Sequence, residues 1–220
     1  MHHLWLFDID GTLVDTGGAG PTALTEAAIE CFGEAGPELD LAGSTDLGIV
    51  QNFLDHFGRE SDQAFIDSFF AIYHERLDWN LAHGNFPGRV LPGAVALLER
   101  LEQDPQVHIG LLTGNTANGA DTKMRHFGLD RFFAFGGYGC DFADRNKLGP
   151  VASARAAAHS GRTFHPHEIV VIGDTPKDIA CARALGSPCI AVATGRFNAE
   201  ELRQHAPHRV IESLEELWPF

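Results

Sequence analysis

Two carboxylates separated by a single residue, Asp8 and Asp10, close the short apolar run 4–7 and lead into Gly11-Thr12. Side chains two apart on a strand share a face, so both acids project from one edge roughly 7 Å apart. Such a pair repels unless a divalent cation satisfies one member or a proton sits on the other, its pKa lifted from about 3.9. The result is a nucleophile beside a general acid. The competing account is an Asp-Gly turn in which Asp10 is a turn residue. A second stretch, Leu111-Leu112-Thr113-Gly114-Asn115, puts a hydroxyl and a Gly-containing turn between a strand and a helix. Its backbone N–H groups make a phosphate cradle assisted by the helix dipole, unless Thr113 and Asn115 are simply caps.

A third stretch is Gly173-Asp174-Thr175-Pro176-Lys177-Asp178, directly after an apolar run. Asp174 is placed to meet Asp8 and a backbone carbonyl in an oxygen-lined Mg²⁺ site. Asp178 suits a helix start, either in support of that site or as a capping acid paired with Thr175. Lys147, ahead of another helix, would balance the carboxylates and hold a phosphoryl oxygen. Arg145 is its rival for that role, and an ordinary solvated lysine is the alternative.

The elements that position these residues alternate short apolar runs with amphipathic stretches, the pattern of β-α units around a parallel sheet. Strands are expected at 4–9, 107–112, 169–173 and 189–193, with weaker ones at 132–135 and 209–211. Helices are expected at 94–102, 118–127, 151–159, 179–185 and 199–205. Gly128 and Gly186 stand at left-handed helix stops. Each chemical stretch therefore falls at a strand's C-terminal edge, where open α/β sheets bind ligands. Residues 16–87 carry no strand pattern. Helices are expected at 22–31, at 47–57 behind the cap cluster Ser44-Thr45-Asp46, and at 63–81 with Phe65, Phe69, Ile72, Tyr73 and Arg76 on one face. The weaker alternatives are a loop at 43–46 that faces the site and an Arg76 that meets a substrate carboxylate, against a helix cap and an exposed helical charge. Gly17-Gly18-Ala19-Gly20 before this region and Phe86-Pro87-Gly88 after it mark a hinged insert whose ends lie close together. The expected division is a core of 1–15 plus 88–220 and an insert of 16–87.

Composition narrows the function classes. The chain has 220 residues, 16 Lys+Arg against 30 Asp+Glu and a formal charge of −14. That balance repels nucleic acid, and no basic run offsets it. No apolar stretch reaches the ~20 residues of a membrane span, and Asp8 and Asp10 interrupt any secretory core. Cys31, Cys140, Cys181 and Cys189 are scattered, which predicts free buried thiols in a reducing cytoplasm rather than disulfides or zinc. His2 and His3 are given no role.

In chain order, Asp-x-Asp-Gly-Thr at 8–12, strand-Thr-Gly-Asn at 113–115, Lys147, and strand-Gly-Asp-x-x-x-Asp at 173–178 resemble the haloacid dehalogenase superfamily. Leu91-Pro92-Gly93 and the run 173–178 look most like its phosphoglycolate-phosphatase-type members. The resemblance implies an α/β doubly wound parallel sheet, a Rossmannoid core, with a small inserted α-helical cap of the type placed after the first motif. It implies a Mg²⁺-dependent phosphatase that hydrolyses a small phosphorylated metabolite through an aspartyl-phosphate. Asp8 would be the nucleophile and Asp10 the acid/base. Thr113, Gly114 and Asn115 would bind the phosphoryl group, with Lys147 stabilising it. Asp8, Asp174 and the Asp10 carbonyl would hold the metal, with Asp178 in support.

Two departures stand out: Leu148-Gly149 separates Lys147 from Pro150, and glycines replace the commoner polar linker at 17–20. A phosphomutase of the β-phosphoglucomutase type, returning phosphate to sugar, and a non-catalytic phosphate-binding module are the alternatives. Dehalogenation needs neither the Asp10 acid nor a metal. A monomer and a homodimer are equally compatible with the sequence, since the Phe-rich insert could pair across subunits.

Overall fold

The computed structural model describes residues 3–38 and 40–217. His2 and the outermost ends of the expected core, 1–2 and 218–220, lie outside them. The chain opens with β1 (His3–Phe7) and a two-residue strand β2 (Val14–Asp15). Three helices follow, α1 (Ala19–Phe32), α2 (Asp46–His56) and α3 (Gln63–His83), and β3 (Arg89–Val90) then returns. From there helix and strand alternate: α4 (Ala94–Gln103), β4 (Val107–Leu112), α5 (Ala117–His126) and β5 (Gly136–Gly137), then α6 (Leu148–Ser160), β6 (Ile169–Gly173) and α7 (Pro176–Leu185). The chain ends with β7 (Cys189–Val192), α8 (Ala199–Arg203) and β8 (Arg209–Ile211).

Six strands form one parallel sheet in the order β5-β4-β1-β6-β7-β8. β1 sits between β4 and β6, paired Phe7↔Leu111 and Phe7↔Ile172, which brings three strand ends and their acids together. Alternation decides which face each residue feeds. Phe7, Ile109, Leu111 and Ile172 pack with Leu97, Leu98 and Met124 on the α4–α5 face. Leu4, Leu6, Leu112 and Val171 pack with Leu148, Ala152 and Ile179 on the α6–α7 face. Burial on both faces is why these strands read as continuous apolar runs.

The expected strand at 132–135 is corrected. Residues 130–132 form a helical turn and the strand is Gly136–Gly137, directly after the expected one. The phenylalanines serve as anchors instead: Phe132 in one core and Phe135 in the other. The helical insert has its own core, in which Ala23, Ala27, Phe53, Phe69 and Leu77 are buried together. On α3 the buried face is Ile66, Phe69, Tyr73, Leu77 and Asn80, rotated from the expected one. Arg76 consequently lies on the outside, 2.8 Å from Glu30. β2 and β3 pair antiparallel, Val14↔Val90 and Asp15↔Arg89, and so clamp both ends of the insert. Gly17 and Gly18 take positive φ (64° and 100°) to turn the chain from β2 into α1, conformations that β-carbon-bearing residues avoid. All four thiols are free, but only Cys181 and Cys189 are buried; Cys140 is exposed and Cys31 partly so. Among the described residues no helix is long and apolar enough to cross a membrane.

Candidate active site

Three carboxylates converge where β1 and β6 end. Oxygens of Asp8, Asp174 and Asp178 all lie within 4.8 Å of one another, and all three residues are buried. Burial pushes Asp8 up to about 6; Arg145 opposes this, while Asp178 and Asp10 add to it. Burial, with the charges of Asp178 and Asp8, likewise holds Asp174 well above the usual carboxylate range. Thr12 Oγ1 donates to Asp174 Oδ1 at 3.1 Å. Hard oxygen donors this close, with burial lifting Asp8 and Asp174 above the ordinary carboxylate range, mark a site short of positive charge. They fit Mg²⁺, a hard cation that takes one or two carboxylates and completes its shell with other oxygens.

The positive charge the chain itself supplies is Arg145. Its buried guanidinium lies 3.3 Å from Asp8 Oδ1 and pairs with Asp178 Oδ1. Burial alone would lower its pKa, but the carboxylates of Asp178 and Asp8 outweigh it and hold the group above its ordinary range. Its Nε is buried without a partner among the described residues. Such an orphaned donor is costly unless a ligand oxygen accepts from it. Lys147 is not in the site. It is exposed, with Nζ 5.6 Å from the centre of the Phe142 ring. Residues 145–147 form a 3₁₀ turn of about three residues per revolution, so side chains two apart cannot face the same way. The basic role read for Lys147 therefore moves to Arg145.

Asp10 does not join the three-acid cluster through its side chain. Lys123 Nζ donates to both of its oxygens, at 2.8 and 2.7 Å, and Asn115 Nδ2 donates to Oδ2 at 2.8 Å. Lys123 also reaches Asn115 Oδ1 at 2.6 Å and is buried, whereas the Asp10 side chain is 42% exposed. Asn115 Nδ2 donates as well to Thr113 Oγ1 at 2.9 Å, and Thr113 hydrogen-bonds to Asp8. One connected network thus runs Asp8–Thr113–Asn115–Asp10–Lys123. Asp178 is both a cap and a site residue: its Oδ2 accepts from Thr175 N and Oγ1 while Oδ1 faces Arg145.

Two members were not read from the sequence. Lys123 carries a usable signal, being a lysine on the face of α5 that also buries Ala120 and Met124. For Asp46 the cap reading outweighs that of a loop facing the site, and Thr45 does cap α2 by accepting from Gly48 N. Asp46 is nevertheless buried, accepts from Thr116 N at 2.7 Å, and is pushed up to about 6 by burial against the opposing pull of Lys123.

The insert is closed over the site. Asp46 N donates to Gly114 O at 2.7 Å, Leu47 N to Gly139 O at 3.1 Å and Thr45 Oγ1 to Ala143 O at 2.7 Å. Gly114 allows this approach, since a β-carbon there would sit 1.9 Å from Ser44 O. Gly114→Ala is therefore expected to hold the insert off the core. Turnover should drop on the order of 100-fold, the scale of loss for ångström-level misplacement, with the melting temperature near that of the parent. Steady-state rates and thermal melts check it. The cavity between core and insert has a volume of about 300 Å³ and is lined by Asp8, Asp10, Asp174, Arg145 and Lys123 on the core side.

Known proteins resemble the chain over nearly its whole length. The family model described as haloacid dehalogenase-like hydrolase matches residues 3–186. Phosphoglycolate phosphatase 1 of Pseudomonas aeruginosa is 26% identical over 229 residues, covering 100% of this chain and 79% of that protein. A phosphoglycolate phosphatase of Yersinia pestis is 25% identical, covering 97% of this chain and 90% of that protein. The crystal structure of CbbY from Rhodobacter sphaeroides in complex with phosphate superposes with a TM-score of 0.76 at 19% identity, covering 99% and 97% of the two chains, and shares the fold. The chain belongs to the haloacid dehalogenase-like hydrolase family and is a phosphoric monoester hydrolase.

Proposed function

We propose that the chain is a Mg²⁺-dependent phosphatase that hydrolyses a small phosphate monoester through a phosphoenzyme on Asp8. The observation that carries this reading is the placement of Asp8. It is buried at the end of the central strand, within reach of two further carboxylates and Arg145, and linked through Thr113 and Asn115 to a second acid. Asp8, Asp174 and the Asp10 backbone would hold Mg²⁺, with Asp178 behind them. When bound, the ion supplies the charge that lets an anionic nucleophile meet an anionic phosphate.

In the first step an Asp8 oxygen attacks phosphorus, the phosphorus–alkoxy bond breaks, and Asp10 gives its proton to the departing oxygen. Arg145 faces the transferring group, where its unpaired Nε can donate to a phosphoryl oxygen. Asp10 is then a carboxylate, the form that Lys123 and Asn115 grip. It takes a proton from water, whose oxygen attacks phosphorus and releases Asp8. The closed insert excludes water in the first step and must lift for the second.

Lys123 is in this scheme a positioning residue for Asp10. Lys123→Met is expected to lower kcat about 100-fold, the lower range of what acid–base help contributes, with little change in KM. Rapid acid quenching should show more phosphoenzyme than in the parent, because the second step depends wholly on the base. The test of the function itself is phosphate release from a panel of monoesters with and without Mg²⁺, together with acid-trapping of the phosphorylated protein. 2-Phosphoglycolate belongs on the panel because the curated relatives are named for it. Release to water, rather than transfer to an added sugar, separates hydrolysis from mutase chemistry. No release from any ester would leave only a binding role.

A further inference from the structure

The cavity that holds the reacting centre lies between core and insert, and beyond that centre its lining is acidic, hydroxyl-bearing and apolar. Beside the hydroxyl-bearing Thr16, Ser44 and Tyr73, Asp46 adds an acid to those of the core, while Asp15 is paired with Arg89 at 3.3 Å. Leu24, Leu41 and Ile49 supply the apolar remainder. The lining cations are Lys123 and Arg145, and both are committed: Lys123 to Asp10 and Asn115, Arg145 to Asp8, Asp178 and the Gly43 carbonyl. Arg76 is on the outer face with Glu30, Arg196 is tied to Asp40, and Lys177 pairs with Asp40 while donating to Ser44 Oγ at 2.7 Å. Among the described residues that line the cavity, no basic side chain beyond Lys123 and Arg145 is therefore left to meet an acid on the substrate's leaving group.

Resting on the phosphatase reading above, we propose that this cavity takes phosphate esters of uncharged polyols or sugars, and that Asp46 rejects esters whose alcohol carries a carboxylate. Asp46 is suited to this because it is positioned by the closure itself. Its backbone N–H bonds Gly114 O, and its carboxylate accepts one hydrogen bond, from Thr116 N, among the described residues. The remaining acceptor capacity suits a hydroxyl donor and repels a carboxylate, a mismatch that discriminates strongly inside a closed site. The cavity of about 300 Å³ sits at the small end of ligand sites, which fits an alcohol of a few carbons.

Matched esters test this on the full-length protein with Mg²⁺. Glycerol 3-phosphate and 3-phosphoglycerate differ by a carboxylate in place of a hydroxymethyl, and glucose 6-phosphate and 6-phosphogluconate form a second pair. The expected result is a kcat/KM ratio of about 100 in favour of the neutral member of at least one pair. Asp46→Asn, of nearly the same shape, should cut that ratio about tenfold by improving the acidic member. The wild-type ratio stands as a test even if the variant does not fold. Equal or better turnover of the acidic members, 2-phosphoglycolate included, overturns the inference, as does an unmoved ratio in a folded Asp46→Asn. p-Nitrophenyl phosphate separates the two levels. If it is hydrolysed while no pair shows the preference, this inference alone falls. If neither it nor any ester releases phosphate, the phosphatase reading falls with it.

Discussion

Asp8→Asn is expected to abolish turnover, by a factor on the order of 10⁴ or more, because it takes away the carboxylate proposed to attack phosphorus. The replacement keeps the shape and removes one of three crowded acids whose mutual repulsion and burial already raise Asp8 to about 6. At neutral pH the parent maintains that charge at a cost, so the variant should melt no lower than the parent in metal-free buffer. Phosphate release and a thermal melt on the same preparation check both halves. Full turnover by Asp8→Asn would remove the proposed nucleophile.

Arg145→Ala should be the costliest substitution for the fold. The guanidinium is 5% exposed and partners Asp8 and Asp178, so its removal leaves uncompensated buried carboxylates. Breaking a buried pair in this way costs about 3–5 kcal/mol. At about 2–4 °C per kcal/mol for a chain of this size, the melting temperature should fall by roughly 6–20 °C. Millimolar Mg²⁺ should recover part of the loss, since a cation that binds only the native state stabilises it by mass action. Lys147→Ala, by contrast, removes an exposed side chain beside Phe142 and should change neither rate nor melting temperature measurably. The two variants side by side decide which basic residue serves the site.

The difference between those residues shows what a single sequence conveys. The acids of β1 and β6 were legible because each ends a run buried on both faces, and such runs announce their own C-terminal edges. Arg145 and Lys147 share one short turn, and nothing in their order says which of them points inward. Lys123 was passed over because its helix is mostly polar, so one more charge drew no attention; only its place beside Ala120 and Met124 marks it as buried. Asp46 was hidden by a correct local reading: Thr45 caps α2, and a helix start accounts for an acid without asking what lies across from it. The strand Gly136–Gly137 went unseen because two glycines have no strand propensity, while the phenylalanines just before them have plenty.

The strand order also bears on how the protein comes into being. β1 is made before both of its neighbours in the sheet, residues 107–111 on one side and 169–172 on the other. A nascent chain therefore carries this apolar segment without its full pairing until residues 169–172 have been added. Such long-range parallel pairing folds slowly and leaves the segment open to wrong associations meanwhile. The helical insert, with a core of its own, can condense while that wait lasts. The three-acid cluster, which needs both β1 and β6 in place, is thus complete only after that pairing closes.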